Sequence, residues 1–541
     1  MRNLSKYLLI FILGLGFLIR IINVDRAPAA MYGDELTIAY DSYSILSTLH
    51  DQTGKFLPLT FPMGAGRPGG YVYFSVPFIA LFGPTALGAR ALSILSGLGI
   101  IVLSFLLGRT FFNRRIGVIS AFLMAISPWD LNLSRGGFEA HFALFLALLG
   151  IVALINFPKR PILLVLSAFC FGLVIHTYPT YKLVLLLFLP TLALYVGNFK
   201  SYFRNKLILS ISLLILSIFA IASITQTFGS NSEERFSQIN VFSLPDLKSQ
   251  IVQRVNNDRV LSSLPESLKP IFHNSYLEYG YKLADAYIKN LSPDFLFLTG
   301  DHNPRHNQTL MGGFYLVELL SVLIGLISLF QGAKRIRLFL LAWILIAPIS
   351  TALLLEPHFL RSAFLLPPVI FLSALGIDWI YRSSNGSRWT LLTIFTIGIT
   401  IQVLFLINKL FFISPNEFSR FWSYPARQAS EMAMEQRQRY DYIILSDRVD
   451  NLEYAYPTYA RIDPQLVINQ NRQRTELNGL SFKKFDNVYI GSIPDSRINQ
   501  FLSELRGSAL YIGPVEDKKS VQNYSLPLGL DKREAFLVVK K

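Results

Sequence analysis

The sequence predicts a polytopic α-helical membrane protein that ends in a small extracytoplasmic α/β domain. Apolar segments of roughly 16–22 residues recur, and each approaches the length at which a helix crosses ~30 Å of hydrocarbon. The mean hydropathy of the 541 residues is +0.41, and 52% of them are hydrophobic. After residue 410 the long apolar segments stop, and short segments typical of β-strands replace them.

We predict about eleven membrane-spanning helices from these apolar segments. The first segment follows Arg2 and Lys6, as the apolar part of a signal peptide does. No small-residue cleavage pattern follows it, and the later segments favour an uncleaved first span. The predicted spans cover residues 7–24, 87–108, 116–131, 139–156, 161–177, 181–197, 207–225, 313–331, 338–355, 362–381 and 389–410.

The charge of the short loops predicts how the chain is oriented in a cell membrane. Loops rich in lysine and arginine stay on the cytoplasmic side. With a cytoplasmic N-terminus, alternate loops are all cationic and contain no acidic residue. These loops are 109–115, 157–161, 198–206, 331–337 and 381–388. The net charge of +15 fits this bias and contact with anionic lipid, so we expect no nucleic-acid partner.

The same orientation places the larger polar segments outside the cell membrane. We expect a membrane domain at residues 1–413, with outer loops at 25–86 and 226–312, and an extracytoplasmic α/β domain at 414–541. Residues 61–84 are apolar but broken by glycine and proline, which predicts an interfacial or re-entrant helix. In the C-terminal domain we predict an amphipathic helix over 416–439 and short strands within 440–447, 485–495, 509–515 and 534–541.

Two adjacent acids, Asp34 and Glu35, occur in the stretch MYGDELTIAY on the predicted outer face. A helix that begins near Gly33 places Asp34, Ile38 and Asp41 on one face. Acids in a first helical turn stabilise the helix through its dipole. A carboxylate at this face could instead deprotonate an acceptor hydroxyl. The residues themselves leave both interpretations open.

Further ionisable side chains cluster in other predicted outer turns. A phosphodiester anchored in the bilayer needs cations at headgroup depth, and arginine binds it bidentately. Arg135 and Glu139 could equally pair across one helical turn, and Lys182 could extend to the interface for packing alone. His358 and Arg361 could likewise cap helices. The clusters are Arg135, Glu139 and His141 in SRGGFEAHF, Lys182 in HTYPTYK, and Glu356, His358 and Arg361 in EPHFLRS.

The densest polar stretch, FLTGDHNPRHNQTLMGG at residues 297–313, directly precedes a predicted span. It contains Asp301, His302, Arg305 and His306. One aspartate and two histidines could bind a divalent metal, but the spacing matches no established metal motif. Pro304 favours a turn over a helix that presents both histidines. A substrate-facing loop and an ordinary capped loop are the alternatives.

The overall layout resembles the polyprenyl-phosphate-dependent glycosyltransferases of the GT-C superfamily, and in particular the bacterial relatives of the protein O-mannosyltransferases and the lipid A aminoarabinose transferase. The resemblance covers about residues 1–410. It is carried by the Asp34–Glu35 pair after the first span, by LFGPTALGAR (81–90), and by SPWDLNLSRGGFEAHFALFLAL (127–148). It implies a GT-C fold, a sugar on a polyprenyl phosphate as the donor, and a protein, lipid or glycan as the acceptor.

The resemblance also implies roles for particular residues. Asp34 would be the catalytic base, with Glu35 as its neighbour in the motif. Apart from the resemblance, their charge makes Arg135, Lys182, His358 and Arg361 our candidates to hold the donor phosphate and stabilise the leaving charge. The aminoarabinose branch has a Lys-Pro-Pro stretch in the first outer loop, where this chain has Arg67 and a single Pro68. This difference leaves the sugar and the acceptor open. Further candidates for the substrate pocket are Asp41, Arg67, Glu139, His141, Asp301, His302, Arg305 and His306.

Two other functional classes fit the sequence less well. A transporter or lipid flippase tends to show repeated halves and charges near mid-membrane, whereas the predicted spans here carry few internal charges. A non-catalytic protein of envelope glycan assembly is a further alternative. The sequence contains no phosphate-binding loop and no dinucleotide-binding motif, and the inner loops are too short for a nucleotide-binding domain. We therefore expect no fixed cofactor, with a divalent metal as the open alternative.

Overall fold

The computed structural model describes residues 4–63, 66–197, 199–228, 245–383 and 386–541. Most of the chain is helical, and a small sheet region lies near the C-terminus. Part of the predicted outer loop at 226–312 lies outside the described residues. The N-terminal helices are α1 (Leu4–Ile21), α2 (Gly33–Thr48), α3 (Gly70–Phe82), α4 (Ala86–Phe111), α5 (Arg114–Ile126), α6 (Pro128–Ser134), α7 (Glu139–Asn156), α8 (Leu163–Ile175), α9 (Tyr181–Val196), α10 (Phe199–Arg204) and α11 (Lys206–Phe228).

The second half of the chain adds two polar helices, further apolar helices and the C-terminal helices. The polar helices at Pro245–Leu261 and Ser275–Lys289 are joined by an ion pair from Arg254 to Glu278. The apolar helices are Glu318–Gln331, Lys334–Ile346, Ile349–Ala352, Phe359–Ser362, Leu366–Arg382 and Ser387–Asn408. The helices of the C-terminal part are Ser414–Glu417, Tyr424–Gln436, Leu452–Tyr459, Pro464–Arg472 and Ile498–Glu504.

Among the described residues, six helical segments are long and apolar enough to cross a membrane. A seventh is obtained if α5 and α6 form one span, although they meet at an angle of 56°. The predicted number of eleven is not confirmed, because several of the predicted segments form shorter apolar helices. The six segments are Ala86–Phe111, Glu139–Asn156, Lys206–Thr225, Lys334–Ala352, Phe359–Arg382 and Ser387–Glu417.

Local chemistry explains two differences from the predicted spans. The segment predicted at 116–131 breaks at Ser127, whose hydroxyl accepts from the backbone N–H of Asp130, while Pro128 begins the new helix. The segment predicted at 313–331 becomes helical only from Glu318, because the carbonyl of Gly313 is held by the backbone N–H of Trp129. The apolar stretch 61–84 forms the predicted helix as α3, with 13 residues.

The C-terminal part contains a seven-stranded mixed sheet in the order β4-β5-β6-β3-β7-β9-β8. The central strand β3 is parallel to β6 and β7, and the outer pairs are antiparallel. The four predicted strands are confirmed as β3 (Tyr442–Leu445), β6 (Val488–Ile490), β7 (Ala509–Gly513) and β9 (Leu537–Lys540). The sequence prediction missed three strands, which are the two edge strands β4 (Thr475–Leu477) and β8 (Tyr524–Ser525), and β5 (Leu480–Phe485), which lies between β4 and β6. A small hairpin, β1 (Thr60–Phe61) with β2 (Arg67–Pro68), lies in the first outer loop.

Helix α2 packs against the C-terminal part of the chain. Its residues Leu36, Ala39 and Tyr40 share a hydrophobic core with the helices at Tyr424–Gln436 and Leu452–Tyr459. The Tyr40 hydroxyl donates to the carbonyl of Ile462 at 2.8 Å. The C-terminal part therefore fixes the helix that carries the acidic pair. The boundary at residue 413 stays a prediction, since this core joins both sides of it.

Candidate functional site

Asp34 and Glu35 occupy the first turn of α2, as the sequence predicts, but their surroundings differ. The side chain of Asp34 is 42% exposed, and that of Glu35 is fully buried. Oδ1 of Asp34 accepts a hydrogen bond from Nη2 of Arg67 at 2.6 Å. No hydrogen bond to Oδ2 of Asp34 is found among the described residues. Asp34 therefore presents one carboxylate oxygen toward solvent while the other is fixed.

Arg67 lies between two carboxylates and joins α2 to α7. Besides Asp34, it contacts Glu139 through Nε at 2.6 Å, and it donates to Oγ1 of Thr37 at 2.8 Å. Burial opposes the charge of Arg67, yet the carboxylates of Glu139 and Asp34 raise its pKa above the usual value. Strand β2 places Arg67 opposite Phe61 in the hairpin. Of the alternatives for Glu139, a pair with Arg135 is not formed, since Arg67 holds Glu139.

Glu35 forms a buried ion pair instead of facing the outer space. Its two carboxylate oxygens accept from Nε and Nη2 of Arg90 at 2.8 and 2.7 Å, and the backbone N–H of Gly137 donates at 2.7 Å. Arg90 also donates to carbonyls of the segment that joins α1 and α2. Because every interaction of Glu35 is internal, the geometry gives it a positioning role in place of direct catalysis.

The geometry does not place Arg135 in a phosphate site. Its side chain is fully buried, and its terminal nitrogens donate to four backbone carbonyls at and after the end of α1. These carbonyls belong to Ile19 at 2.6 Å, Arg20 at 3.1 Å, Ile22 at 2.9 Å and Ala27 at 2.5 Å. Such carbonyls lack partners within their own helix, so an arginine that caps them stabilises the turn. We therefore remove Arg135 from the proposed phosphate ligands.

His141 likewise has a structural environment. Its Nε2 lies 2.9 Å from Oδ1 of Asp130, whose Oδ2 lies 2.5 Å from Nη2 of Arg20. All three side chains are fully buried within the membrane part. Buried charges in such a region need partners of opposite charge, and this triad supplies them. We correct the expectation that His141 lines the substrate pocket.

A second polar cluster brings together three side chains from two distant loops. Asp301, His306 and His358 offer ligand atoms that all lie within 4.8 Å of one another. Oδ2 of Asp301 lies 3.2 Å from Nδ1 of His306 and 3.7 Å from Nδ1 of His358, and it also accepts from the backbone N–H of Phe359 at 2.8 Å. His302, predicted as a partner, is exposed and lies outside the cluster, because the turn at Pro304 presents His306 instead.

The donor set of this cluster fits a divalent metal such as zinc. An aspartate and two histidines leave one tetrahedral position open for water or substrate. Burial alone would raise the pKa of Asp301, but the hydrogen bond with His306 and the electrostatic interaction with the two histidines lower it. Burial lowers the pKa of His358 well below its usual range, and Nδ1 of His358 is buried without a hydrogen-bond partner in the described chain. A charged aspartate and a neutral histidine are the states that metals bind.

Further interactions connect the cluster of Asp301, His306 and His358 with the region around Asp34 and Glu139. Burial raises the pKa of Tyr178 to about 12, and this residue also interacts with Arg361 and with the charge of Glu139. Arg361 in turn influences His358 electrostatically. On the opposite side, the guanidinium carbon of Arg305 lies 5.5 Å from the ring centre of Tyr32. The structure thus brings Asp34, Arg67, Glu139, Asp301, Arg305, His306, His358 and Arg361 into one region.

Asp41 and Lys182 are not shown to contact this region. Asp41 is fully buried and lies on the same face of α2 as Asp34, about two helical turns further along. Its carboxylate accepts hydrogen bonds from the backbone and side-chain amides of Gln52 at 3.1 and 3.2 Å. Burial raises the pKa of Asp41 to about 7. Lys182 is in the first turn of α9, and its charge acts on His176 at the end of α8. Its role as a phosphate ligand stays a prediction.

Sequence reasoning missed several residues that build the site. Arg90 holds Glu35, Arg20 holds Asp130, and Trp422 packs edge-on against Tyr32 at 5.2 Å. For Arg20 and Arg90 a signal existed, since a single arginine near the end of an apolar segment is usually paired. For Trp422, which approaches from the C-terminal part of the chain, the sequence offers no local signal.

Comparisons with known proteins support the fold. No protein-family model matches the chain, and no curated protein sequence matches it. Two solved structures of ArnT from Cupriavidus metallidurans are similar over their whole length, each at 11% identity and covering 98% of this chain and 97% of ArnT. The TM-score is 0.57 for the apo state and 0.53 for ArnT bound to undecaprenyl phosphate. This similarity shows that the chain has the fold of ArnT, and its apolar helices support a multi-pass membrane protein.

Proposed function

We propose that this protein is a membrane glycosyltransferase that moves a sugar from a polyprenyl phosphate to an acceptor hydroxyl at the outer face of the membrane. The observation that carries the proposal is the contrast within the acidic pair. Glu35 is fully engaged by Arg90, whereas Asp34 keeps one oxygen free and partly exposed at the edge of a cluster of ionisable side chains. The whole-length likeness to ArnT, one structure of which contains undecaprenyl phosphate, supports a lipid-linked donor.

Asp34 has the position of a general base. In the proposed step, the acceptor oxygen attacks the anomeric carbon of the sugar, and Asp34 takes the hydroxyl proton. The bond from that carbon to the phosphate oxygen breaks, and the electron pair leaves with the polyprenyl phosphate. Inversion at the anomeric carbon is the expectation from the GT-C resemblance. Arg67 holds Oδ1 of Asp34 at 2.6 Å, which directs Oδ2 toward the acceptor.

Cations near Asp34 supply the charge that a departing phosphate requires. Arg67 pairs with Glu139 at 2.6 Å, and the charges of Glu139 and Arg361 both act on the buried Tyr178, which places Arg361 in the same region. Positively charged groups fixed where negative charge develops lower the barrier of the reaction. We propose Arg361 as the main phosphate ligand. His358 and Lys182 are retained as additional candidates.

Asp301, His306 and His358 would hold a divalent metal if the protein uses one. Such an ion would neutralise charge on the leaving phosphate. The role of the chain itself is to hold Asp301 ionised and His358 neutral at this position. We further propose the predicted orientation, with a cytoplasmic N-terminus and an extracytoplasmic C-terminal domain.

A transfer assay in proteoliposomes tests the proposed function. We expect wild-type protein to transfer sugar from a defined polyprenyl-phosphate sugar, and not from a nucleotide sugar. The Asp34→Asn variant should lose this activity, whereas Glu356→Gln, which changes an exposed acid in a neighbouring outer turn, should keep it. Flux of a lipid-linked sugar without transfer would support the flippase alternative and contradict the proposal.

A further inference from the structure

A cleft of about 1150 Å³ lies between the membrane part and the C-terminal sheet. One wall consists of residues 448–450 and 514–516, which directly follow strands β3 and β7. The opposite wall includes Arg305 and Phe421. The cleft is therefore built jointly by the outer loop that carries Asp301 and by the C-terminal part of the chain.

The position of the cleft in the sheet is one at which ligands bind. From β3 the chain continues to β6 on one side, and then returns to β7 on the other side of β3. The strand order thus reverses at β3. In open α/β sheets, ligands bind beyond the carboxyl ends of the strands where the order reverses. Residues 448–450 and 514–516 border that crevice.

The unpaired charge in the cleft is mainly positive. Arg420 and Arg448 are held by Asp531 at 2.7 Å and by Asp517 at 2.6 Å. Lys532 and Arg533 are exposed and form no ion pair with any described residue, and the terminal nitrogens of Arg305 also remain unpaired in the described chain. Of the acids, Glu534 pairs with Lys518 at 3.2 Å. Asp450, which accepts from the Ser423 hydroxyl at 2.7 Å, and Glu516 are exposed and form no ion pair with any described residue, so three cations face two acids.

Two contacts connect the cleft with the first turn of α2. Arg305, in one wall, lies over the ring of Tyr32. Asn451, adjacent to Asp450 in the other wall, approaches Gly33 so closely that a Cβ on this glycine would lie 2.5 Å from Oδ1 of Asn451. Tyr32 and Gly33 immediately precede Asp34. The cleft is therefore linked through Arg305, and through the neighbour of Asp450, to the residues that immediately precede the proposed base.

We propose that this cleft binds the acceptor, and that the acceptor is a saccharide that carries a phosphate or carboxylate group. The inference rests on the proposed function, and it adds the substrate class and a role for the C-terminal domain. Lys532, Arg533 and Arg305 supply cations for the anionic group. The ring of Phe421, 45% exposed in the cleft, offers a flat apolar surface for the C–H face of a sugar ring.

Calorimetric titration of the full-length protein in nanodiscs tests this inference. The probes are mannose 6-phosphate, glucuronic acid, mannose and inorganic phosphate. We expect mannose 6-phosphate or glucuronic acid to bind at least tenfold more tightly than mannose and inorganic phosphate. Whichever of these two anionic sugars binds more tightly identifies phosphate or carboxylate as the anionic group. Equal binding of inorganic phosphate would overturn the saccharide part, and equal binding of mannose would overturn the anionic part.

A matched pair of variants locates the binding. Lys532→Gln with Arg533→Gln removes two exposed cations from the cleft, and Arg474→Gln with Arg506→Gln removes two exposed cations elsewhere on the C-terminal part. We expect the first double variant to weaken binding of the anionic sugar at least tenfold and the second to leave it unchanged. Equal loss in both variants, or no loss in the first, would overturn the assignment to the cleft.

The binding measurement separates this inference from the proposed function. It needs neither donor nor turnover, so Asp34→Asn should bind the anionic sugar as wild type does. If wild type binds the anionic sugar and Lys532→Gln with Arg533→Gln loses this binding, but wild type transfers no sugar, the result contradicts the proposed function alone. Sugar transfer that is unaffected by Lys532→Gln with Arg533→Gln would contradict the cleft inference alone.

Discussion

Replacing Glu35 by glutamine tests whether this acid is structural or chemical. Glu35 and Arg90 are both fully buried, and the carboxylate accepts three hydrogen bonds of 2.7–2.8 Å from Arg90 and Gly137. Glutamine preserves the size of the side chain but removes its charge. The Glu35→Gln variant therefore leaves the cation of Arg90 buried without its counter-charge.

The structure gives the size of the expected effect. Removing one partner of a buried ion pair costs about 3–5 kcal/mol in the free energy of unfolding. Arg90→Met should cost more, because it also leaves the carbonyls of Val24, Pro28 and Ala30 without their donor, at about 1–3 kcal/mol for each buried group. The expected order of stability is wild type, then Glu35→Gln, then Arg90→Met.

Thermal unfolding of the detergent-solubilised variants measures this order. The control is Glu453→Gln, which breaks a 3.2 Å pair with Lys483 whose acid is 30% exposed, and which should cost at most about 1 kcal/mol. The turnover of folded Glu35→Gln should stay within about threefold of wild type, a barrier change below 1 kcal/mol. Stability equal to that of the control, or a loss of turnover as large as in Asp34→Asn, would refute the structural role.

Three further predictions concern the same region. Arg67→Met should reduce sugar transfer, because the carboxylates of Asp34 and Glu139 then repel each other without their shared cation. Adding Glu139→Gln should restore part of the rate in the same assay, and no restoration would contradict this charge balance. Asp41→Asn should stabilise the protein at pH 8 by about 4 kcal/mol, because the pKa of Asp41 is about 7 in the fold and near 3.8 when unfolded. The folded protein holds this stabilising proton at low pH and loses it as the pH rises through 7, so the difference in unfolding free energy between the variant and wild type should vanish near pH 4. A gain in stability that is independent of pH would contradict this prediction. Zinc should raise the thermal midpoint of wild type and of His302→Ala but not of His358→Ala, and an equal rise in all three would exclude the Asp301, His306 and His358 site.

The sequence predicts the elements of this fold better than their partners. The short apolar segments around Tyr442, Val488, Ala509 and Leu537 predict strands, and strands form there, because local patterning determines such elements. The strand Leu480–Phe485 escaped prediction, since its two lysines interrupt the apolar pattern. The bend at Ser127 escaped because the apolar run continues across it, and only the Ser-Pro step reports the break.

Pairings between distant segments could not be predicted from spacing along the chain. Glu139 lies four residues from Arg135, which favours a local pair, yet the β1–β2 hairpin brings Arg67 to it. His302 lies close in sequence to Asp301 and His306, but His358 from another turn completes that cluster. In both cases a loop conformation decides the partner, and nothing in the local pattern encodes it.

The initial rate of sugar transfer by Asp34→Asn tests the central claim most directly. Wild type, Asp34→Asn and the control Glu356→Gln are compared with a saturating polyprenyl-phosphate sugar as the donor and an anionic saccharide as the acceptor. If Asp34 is the general base, the asparagine variant should transfer at least about 10²-fold more slowly. Its affinity for the donor should be unchanged, and Glu356→Gln should match wild type. A transfer rate for Asp34→Asn equal to that of the control would contradict the account.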